Sequence, residues 1–532
     1  MTELHLSIAV PDRDALDSRV EELIASKIAS RIAARDATVW GPDAEPEASI
    51  RLAWVDLSEA SRPLVPEIEA LRSELAAKGL DHVVLGGMGG SSLAPEVICA
   101  AAGVAITILD SSDPDQVRTA LADRLATSIV VISSKSGGTV ETDSQKRAFE
   151  AAFTAAGLNP LDHIVIVTDP GSPLDKSANE AGYRVFNADP QVGGRYSALT
   201  AFGLVPSGLA GAPIGQLLDE ASAVTAELTS DDPTNAALLL GALVGSAALA
   251  GVDKLVLADT TGNGVGDWIE QLVAESTGKQ GLGVLPVVVP DSAAPNYTPA
   301  TADSILVTIG SSDIAESTSG FAATIEGPLG AQMLLWEYAT VIAGQIIGID
   351  PFDQPDVESA KIASRKLLDA GISIPDPAFT DTGISAYSEG SWLTATTVEG
   401  AIAELLAQLD PEKGYVALQT YLDRERDASF AEVRETLAAR LARPVTFGWG
   451  PRFLHSTGQY HKGGPDTGVY LQITATPDND LEIPERPFTF GEFITAQALG
   501  DGSVLEAKGR PVLRLHLSDR VAGLQRIREA LL

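Results

Sequence analysis

The chain has 532 residues, enough for two or three domains with large hydrophobic cores. Its 37 basic and 72 acidic residues give a formal net charge of −35, which argues against nucleic acids and anionic membranes as partners. An anionic ligand must therefore be bound by a local cluster of positive charge, against the field of the whole molecule.

Residues 1–75 are predicted to form a polar helical arm. The first residues lack a basic stretch followed by an apolar core, so no secretory signal is recognised. The single cysteine, Cys99, excludes an intramolecular disulfide and is predicted to be a buried thiol, which suits a reducing compartment. We therefore expect a cytoplasmic protein.

Residues 76–225 are predicted to form a first α/β domain. Short apolar runs alternate there with helical stretches, which is typical of a parallel sheet covered by helices. The predicted strands are Val83–Leu85, Ile106–Leu109, Ile129–Ile132, Ile164–Val167 and Arg184–Phe186.

Residues 226–480 repeat this alternation and are predicted to form a second α/β domain. It begins with the apolar run 236–252, which is too short and too rich in alanine and glycine for a membrane span and is predicted to be a buried helix. The predicted strands are Lys254–Ala258, Val284–Val289, Ile305–Ile309, Val416–Thr420 and Pro444–Phe447. Residues 481–532 form a C-terminal extension that ends in an amphipathic helix, which could pack on a partner.

Two loops in the first domain have the composition of phosphate-binding sites. The first runs from Gly86 to Ser92 and contains Gly90 and Ser91; the second runs from Ser133 to Thr139 and contains Ser134, Lys135, Ser136 and Thr139. Hydroxyl groups and backbone amides between a strand and a helix can bind a dianion, to which the lysine adds charge. The alternative is that these residues only form tight turns. Neither loop has the spacing of a nucleotide-binding loop, which favours a phosphorylated metabolite.

Three further polar segments could carry chemistry. Gly193–Gly194–Arg195 allows close approach of the backbone to a ligand and supplies a guanidinium for an oxyanion, unless it is a surface turn. Glu275 lies where a helix gives way to a turn and could be a partly desolvated general base, or an exposed helix end. Gln354 lies at the start of another helix and Lys361 two turns into it. The two side chains could contribute to a site, or the segment could be an ordinary helix start with no functional role.

Taken in order, these motifs resemble the glucose-6-phosphate isomerase family over roughly residues 80–475. The two phosphate loops, Gly193–Ser197, Glu275–Lys279 and Phe352–Lys361 each match a family motif, and five matches in sequence are specific. The resemblance implies two doubly wound, flavodoxin-like sugar-isomerase (SIS) domains with helical N- and C-terminal extensions. It also implies the reversible isomerisation of glucose 6-phosphate and fructose 6-phosphate in glycolysis and gluconeogenesis.

The resemblance also implies roles for single residues. Glu275 would move the proton between C1 and C2 through a cis-enediolate, Arg195 would stabilise that intermediate, and Lys361 would assist ring opening. The substrate would be bound by Gly90, Ser91, Ser134, Lys135, Ser136, Thr139, Gly194 and Gln354. No cofactor and no metal are implied.

The chain departs from the family pattern at the ring-opening histidine. No histidine occurs between His163 and His455, whereas the family places this residue between the glutamate and Gln…Lys motifs. The segment Gln459–Gly463 is similar to the family's histidine segment displaced downstream, so His461 is preferred to His455; a structural histidine is the alternative. In the family this histidine comes from a neighbouring subunit, which implies a homodimer with shared sites.

This arrangement resembles the isomerase part of bacterial fusions of transaldolase and glucose-6-phosphate isomerase. Two other functions stay open: a noncatalytic sugar-phosphate sensor, and a related isomerase for another phosphosugar such as an amino sugar or mannose 6-phosphate.

Overall fold

The protein is described by a computed structural model that covers residues 3–311, 320–372 and 374–532. The helices described, numbered here α1–α21, are Arg13–Ala25, Ile28–Ala33, Glu45–Ala48, Leu57–Ala60, Leu64–Ala77, Leu93–Ala102, Pro114–Ala122, Val140–Ala155, Pro160–His163, Pro173–Ala181, Ala201–Ala210, Ile214–Leu228, Ala236–Leu249, Val265–Thr277, Leu329–Ile347, Pro355–Ala370, Val398–Leu406, Val433–Leu441, Gly458–Gly463, Phe490–Ala507 and Arg520–Leu531. The strands, β1–β16, are His5–Ala9, His82–Gly87, Thr107–Leu109, Ser128–Ser133, Ile164–Thr168, Arg184–Asn187, Lys254–Asp259, Leu285–Val289, Ser304–Ile309, Ala322–Glu326, Phe379–Asp381, Ile384–Tyr387, Tyr415–Tyr421, Val445–Trp449, Gly468–Ala475 and Val512–Leu517.

The first sheet is parallel throughout and has the strand order β3-β2-β4-β5-β6. Its five strands coincide with the five predicted for the first domain, because each is a short apolar run bounded by turns. Gly87 at the end of β2 pairs with Ser133 at the end of β4. The two predicted phosphate loops therefore leave the same edge of the sheet side by side.

The second sheet has the order β1-β10-β9-β7-β8. Four of its strands are parallel, and β1 is antiparallel to β10. The arm predicted to be helical over residues 1–75 thus begins with a strand. The predicted buried helix is α13, capped by the Asn235 side chain, and it lies in the core shared by the first two sheets.

A third sheet, ordered β11-β12-β16-β15-β13-β14, corrects the expected grouping of strands. The strands predicted at 416–420 and 444–447 belong to it, not to the sheet that contains β7. It also takes β11 and β12 from the segment 370–400 and β16 from the C-terminal extension. Its own core includes Leu524 and Ile527 of the terminal helix α21, so that helix packs on this chain. The parallel α/β class is confirmed, with more sheets than the sequence predicted.

The third sheet is packed against the second through buried side chains of both. Tyr415 and Tyr470 lie in one apolar cluster with Val256 and Val287. Arg443, after α18, makes a bidentate pair with Asp303, before β9, at 3.1 and 2.7 Å. No helix in the described ranges is long and apolar enough to cross a membrane.

Candidate active site

A cavity of about 410 Å³ lies at the carboxyl edge of the first sheet. It collects residues from several separate parts of the chain: the two phosphate loops, the Gly193–Ser197 loop, the end of α14 and the start of α16. The predicted residues that line it are Gly90, Ser91, Ser134, Lys135, Ser136, Thr139, Gly194, Arg195, Glu275, Gln354 and Lys361. Segments far apart in sequence thus converge on one site.

Gly90 explains how the first loop reaches the others. A Cβ atom at this position would lie 1.9 Å from the carbonyl oxygen of Gly194, so a larger residue could not fit. The contact brings the first phosphate loop directly against the loop that carries Arg195.

The second loop forms a polar, positively charged end of the cavity. The Ser134 hydroxyl donates to Thr139 Oγ1 at 3.1 Å, and the Gly138 amide donates to Ser136 Oγ at 3.2 Å. Thr139 precedes α8, whose N-terminus favours anions. Lys135 Nζ pairs with Asp169 at 2.6 Å; burial lowers the pKa of Lys135, and the carboxylate opposes that shift.

Arg51 is a second cation at this end, and sequence reasoning missed it. Its Nη1 donates to the Pro190 carbonyl oxygen at 3.3 Å, and Lys135 Nζ donates to the same oxygen at 3.2 Å. Leu52 forms a bridge with Val192 that holds this segment beside the loop leading to Arg195. No motif surrounds Arg51, so only its place in the fold reveals it.

Arg195 is fixed in one orientation at the centre of the cavity. Only 2% of it is exposed, and its guanidinium donates to Ser276 Oγ at 2.8 Å, Gln354 Oε1 at 2.5 Å and the Pro351 carbonyl oxygen at 2.7 Å. A fourth hydrogen bond goes to the Asp353 carbonyl oxygen at 3.1 Å, and Glu275 Oε2 lies 3.9 Å from Nη1. A rigid cation beside a carboxylate is suited to stabilising negative charge as it develops.

Glu275 lies in the last turn of α14 and is 7% exposed. Burial raises the pKa of its carboxyl group, while the charges of Arg195, His455 and Lys361 oppose the rise. Gln271, one turn earlier, donates to Oε2 at 3.2 Å. The carboxyl is thus poorly hydrated and held toward the cavity, the combination expected of a general base.

His455 also lines the cavity, at the end of the short helical turn Arg452–His455. Its Nε2 lies 3.2 Å from Glu141 Oε1, and its carbonyl oxygen accepts from Gln271 at 2.6 Å. Burial opposes ionisation of Glu141, but the hydrogen bond and charge of His455 lower the pKa of that carboxyl overall. Glu141 therefore acts as an anionic partner of the imidazole, another residue that the sequence reasoning missed.

His461 is not at the cavity, which corrects the preference for it over His455. It is 3% exposed, and its Nδ1 lies 3.2 Å from Gln419 Nε2 on β13. Burial lowers its pKa well below the usual value, so the ring is neutral. The helix α19 turns this side chain toward the third sheet, a direction that a sequence motif does not specify.

The turn that carries His455 is anchored to the first sheet. Arg452 donates to Asp110 and to Glu96, each at 2.5 Å. Burial would raise the pKa of Glu96, but Arg452 and Arg424 lower it to about 2, so these contacts are ion pairs. His455 thus reaches the cavity from the same chain, whereas the resemblance implied a histidine from a neighbouring subunit.

Gln354 and Lys361 flank the first two turns of α16. Gln354 precedes the helix and accepts from Arg195, while Lys361 Nζ lies 3.2 Å from Glu358 Oε1 and is partly exposed. The backbone amides of Asp356 and Val357 donate to Gln459 on α19 at 3.0 and 3.2 Å. Helix α19 therefore holds the start of α16, although its histidine does not line the cavity.

Comparisons with known proteins agree with this geometry. Residues 61–282 match the family model "Phosphoglucose isomerase". A glucose-6-phosphate isomerase of Rippkaea orientalis is 38% identical over 206 residues, which are 36% of this chain and 39% of that protein. One of Gloeothece citriformis is 30% identical over 342 residues, 53% of this chain and 65% of that protein. The chain therefore spans less than two thirds of the length of these relatives.

Two solved structures share the fold at low sequence identity. A hypothetical protein from Thermus thermophilus has a TM-score of 0.59 and 23% identity, covering 68% of this chain and all of its own. A glucose-6-phosphate isomerase from Chlamydia trachomatis has a TM-score of 0.57 and 19% identity, covering 71% of this chain and 90% of its own. With the sequence matches, they confirm the resemblance inferred from the five motifs.

Proposed function

We propose that this chain, as a relative of the glucose-6-phosphate isomerases, is an aldose-ketose isomerase that interconverts glucose 6-phosphate and fructose 6-phosphate. One observation carries the proposal. Glu275 and Arg195 lie 3.9 Å apart inside a cavity whose other end consists of hydroxyl groups, backbone amides and two cations. A phosphosugar bound with its phosphate at the cationic end would extend toward this carboxylate–guanidinium pair.

The phosphate would be bound by the two loops of the first sheet. Ser91, Ser134, Ser136 and Thr139 supply hydroxyl groups, Gly90 and Gly194 allow the backbone to approach closely, and Lys135 supplies charge. These donors suit a dianion and fix the position of the reacting carbons.

The proton transfer would use Glu275 and Arg195. Glu275 removes the proton from C2 of the open-chain aldose and returns it to C1, through a cis-enediolate. Arg195 stabilises the negative charge that develops on the enediolate oxygens, because four hydrogen bonds already hold its guanidinium in place. Gln354, which accepts one of them, would bind a sugar hydroxyl through its amide group.

Ring opening would use His455 rather than His461. An imidazole that lines the cavity and contacts the buried Glu141 carboxylate can exchange a proton with the ring oxygen. Glu141 is a positioning residue, since its contact with Nε2 orients the ring. Lys361, on the same side of the cavity, would assist by its charge. All these groups belong to one chain, and the homodimer implied by the family stays a prediction.

The proposed reaction belongs to glycolysis and gluconeogenesis, and we propose that it takes place in the cytoplasm. It is tested by converting fructose 6-phosphate to glucose 6-phosphate in a coupled dehydrogenase assay with the wild type, Glu275→Gln and Glu270→Gln. Glu270 lies on the same helix but does not line the cavity, so it controls for a glutamate-to-glutamine change on α14.

We expect Glu275→Gln to lower kcat by at least about a thousandfold with little change in affinity for the sugar phosphate, and Glu270→Gln to retain activity. Turnover by Glu275→Gln at the wild-type rate would refute the assignment of the base. A wild type that binds fructose 6-phosphate without turnover would instead be a sensor, and turnover of a different phosphosugar alone would identify a related isomerase.

A further inference from the structure

A second and larger cavity, of about 570 Å³, lies away from the site described above. It is enclosed by α16, α20 and one face of the third sheet, and this volume is within the range of small-molecule sites. Its apolar wall consists of Ala363, Leu367, Ala378, Ala498, Leu499 and Val512. None of its lining residues belongs to the proposed isomerase mechanism.

Arg514 is an unpaired cation in the wall of this cavity. It lies on β16 and is only 8% exposed, and its side chain has no hydrogen bond or ion pair with any residue in the described ranges. Its guanidinium lies over the Tyr387 ring, with Cζ 3.9 Å from the ring centroid. Stacking uses the face of the guanidinium and leaves its N–H edge available to an acceptor in the same plane.

Gln472 is a second group without a full set of partners. It is completely buried and lines the cavity beside α20, and its Oε1 has no hydrogen-bond partner among the described residues. Its Nε2 donates to Gln419 at 3.1 Å and Asp501 at 3.0 Å, so the side chain cannot turn without losing both bonds. Because this oxygen has less than 1 Å² of exposed surface, it is not itself available to a ligand, and Gln472 forms a fixed polar part of the wall.

Three acidic residues, Asp376, Glu389 and Glu506, also line the cavity, and none of them forms an ion pair with Arg514 among the described residues. Glu506 accepts from the Glu389 backbone amide at 2.9 Å and forms no ion pair with Arg514 within the described residues. Burial raises the pKa of Glu506, which favours its neutral form. Lys366, which is exposed and lines the same cavity, adds a second positive charge.

We propose that this cavity binds a small organic anion whose carboxylate or phosphate pairs with Arg514 and whose apolar body lies against the wall formed by α16 and α20. The observations that carry the proposal are the unpaired, nearly buried guanidinium and the apolar wall beside it. The site is independent of isomerase activity, since it shares none of the proposed catalytic residues.

The test is binding of benzoate, phenyl phosphate and uncharged benzyl alcohol, measured by calorimetry without sugar phosphate. The variants are Arg514→Met, which removes the cation, and Ser503→Trp, which places a bulky ring in the cavity from an exposed helix position. Arg528→Met is the matched control, because Arg528 lies over the Phe430 ring and does not line the cavity.

We expect wild type and Arg528→Met to bind at least one of the two anions and not benzyl alcohol, and both cavity variants to bind that anion at least about tenfold more weakly. Whichever of benzoate and phenyl phosphate binds more tightly shows whether the site prefers a carboxylate or a phosphate. Equal binding of benzyl alcohol, or anion binding unchanged in Arg514→Met or Ser503→Trp, overturns the proposal. If Arg514→Met does not fold, the loss of anion binding in Ser503→Trp is the test, because Ser503 is exposed and its replacement should not disturb the core.

Discussion

Replacing Arg51 by glutamine should weaken binding of the sugar phosphate without changing the chemical step. The contacts of Arg51 and Lys135 with the Pro190 carbonyl oxygen, 3.3 and 3.2 Å, place their nitrogen atoms no more than about 6.5 Å apart. A phosphate bound by the second loop, which includes Lys135, would feel both charges. Because the molecule carries a net charge of −35, each local cation matters for an anionic substrate.

The size of the effect follows from Coulomb's law. Arg51 is a quarter exposed in its side chain and its Nε pairs with Glu47 at 2.8 Å, which offsets part of its charge, so we use the dielectric constant of water as a lower limit for the effect. At about 7 Å, a unit charge and a dianion then attract each other by about 1 kcal/mol. This corresponds to an increase of about fivefold to tenfold in KM, with kcat unchanged because the interaction is the same in the ground and transition states.

The assay compares Arg51→Gln with Arg35→Gln at low and high salt. Arg35 belongs to the same N-terminal segment, pairs with Asp56 at 2.7 Å and does not line the cavity, so it controls for the change in net charge. At about 1 M salt the screening length is about 3 Å, and the effect of Arg51→Gln should largely disappear. An equal rise in KM in both variants, or a rise that does not depend on salt, would refute the reasoning.

Three further predictions concern the histidines, the base and the third sheet. In steady-state assays on the cyclic sugar, His455→Gln should lower kcat by about a hundredfold or more, whereas His461→Gln should change kcat by less than about threefold. A larger loss of kcat in His461→Gln than in His455→Gln would identify His461 as the ring-opening group. Because burial raises the pKa of Glu275 and the base must be deprotonated, kcat/KM should fall as the pH is lowered through a value above that of an ordinary glutamate; a flat pH profile through the acid range would contradict this. Arg443→Met should leave the Asp303 carboxylate buried without its bidentate partner, which should lower the free energy of unfolding by about 3–5 kcal/mol. An unchanged Tm would show that this pair does not hold the third sheet in place.

The first sheet and the two loops that leave its carboxyl edge could be predicted because their signals are local. Each strand is an apolar run bounded by turns, and each loop joins a strand to a helix, so the sequence around Ser134 contains its own structural context. Glu275 and Arg195 were identified in the same way, from motifs within a few residues of each. Their distance of 3.9 Å depends on how the loop that carries Arg195 packs against α14, and it could not be predicted from either motif.

The third sheet could not be predicted because its strands pair with partners distant in sequence. Strand β12 pairs with β16, from Ile384 with Leu517 to Tyr387 with Arg514, and the sequence pattern of a parallel strand does not indicate which sheet it joins. The same limit applies to the choice between His455 and His461. The two lie close together in the sequence, and only the packing of α19 on the sheet determines which imidazole faces the cavity.

The position of the third sheet explains how His455, rather than the histidine of the displaced motif, comes to line the cavity. A proton donor needs to reach the carboxyl edge of the first sheet, and its place in the chain order is irrelevant if packing brings it there. Here the Tyr415 and Tyr470 cluster fixes the third sheet on the second, and Arg452 then ties the His455 turn to Asp110 and Glu96. These buried ion pairs orient the imidazole from within one chain. A dimer, if it forms, is therefore not required to supply this group, and isomerase activity per chain should not fall on dilution below the concentration at which subunits dissociate.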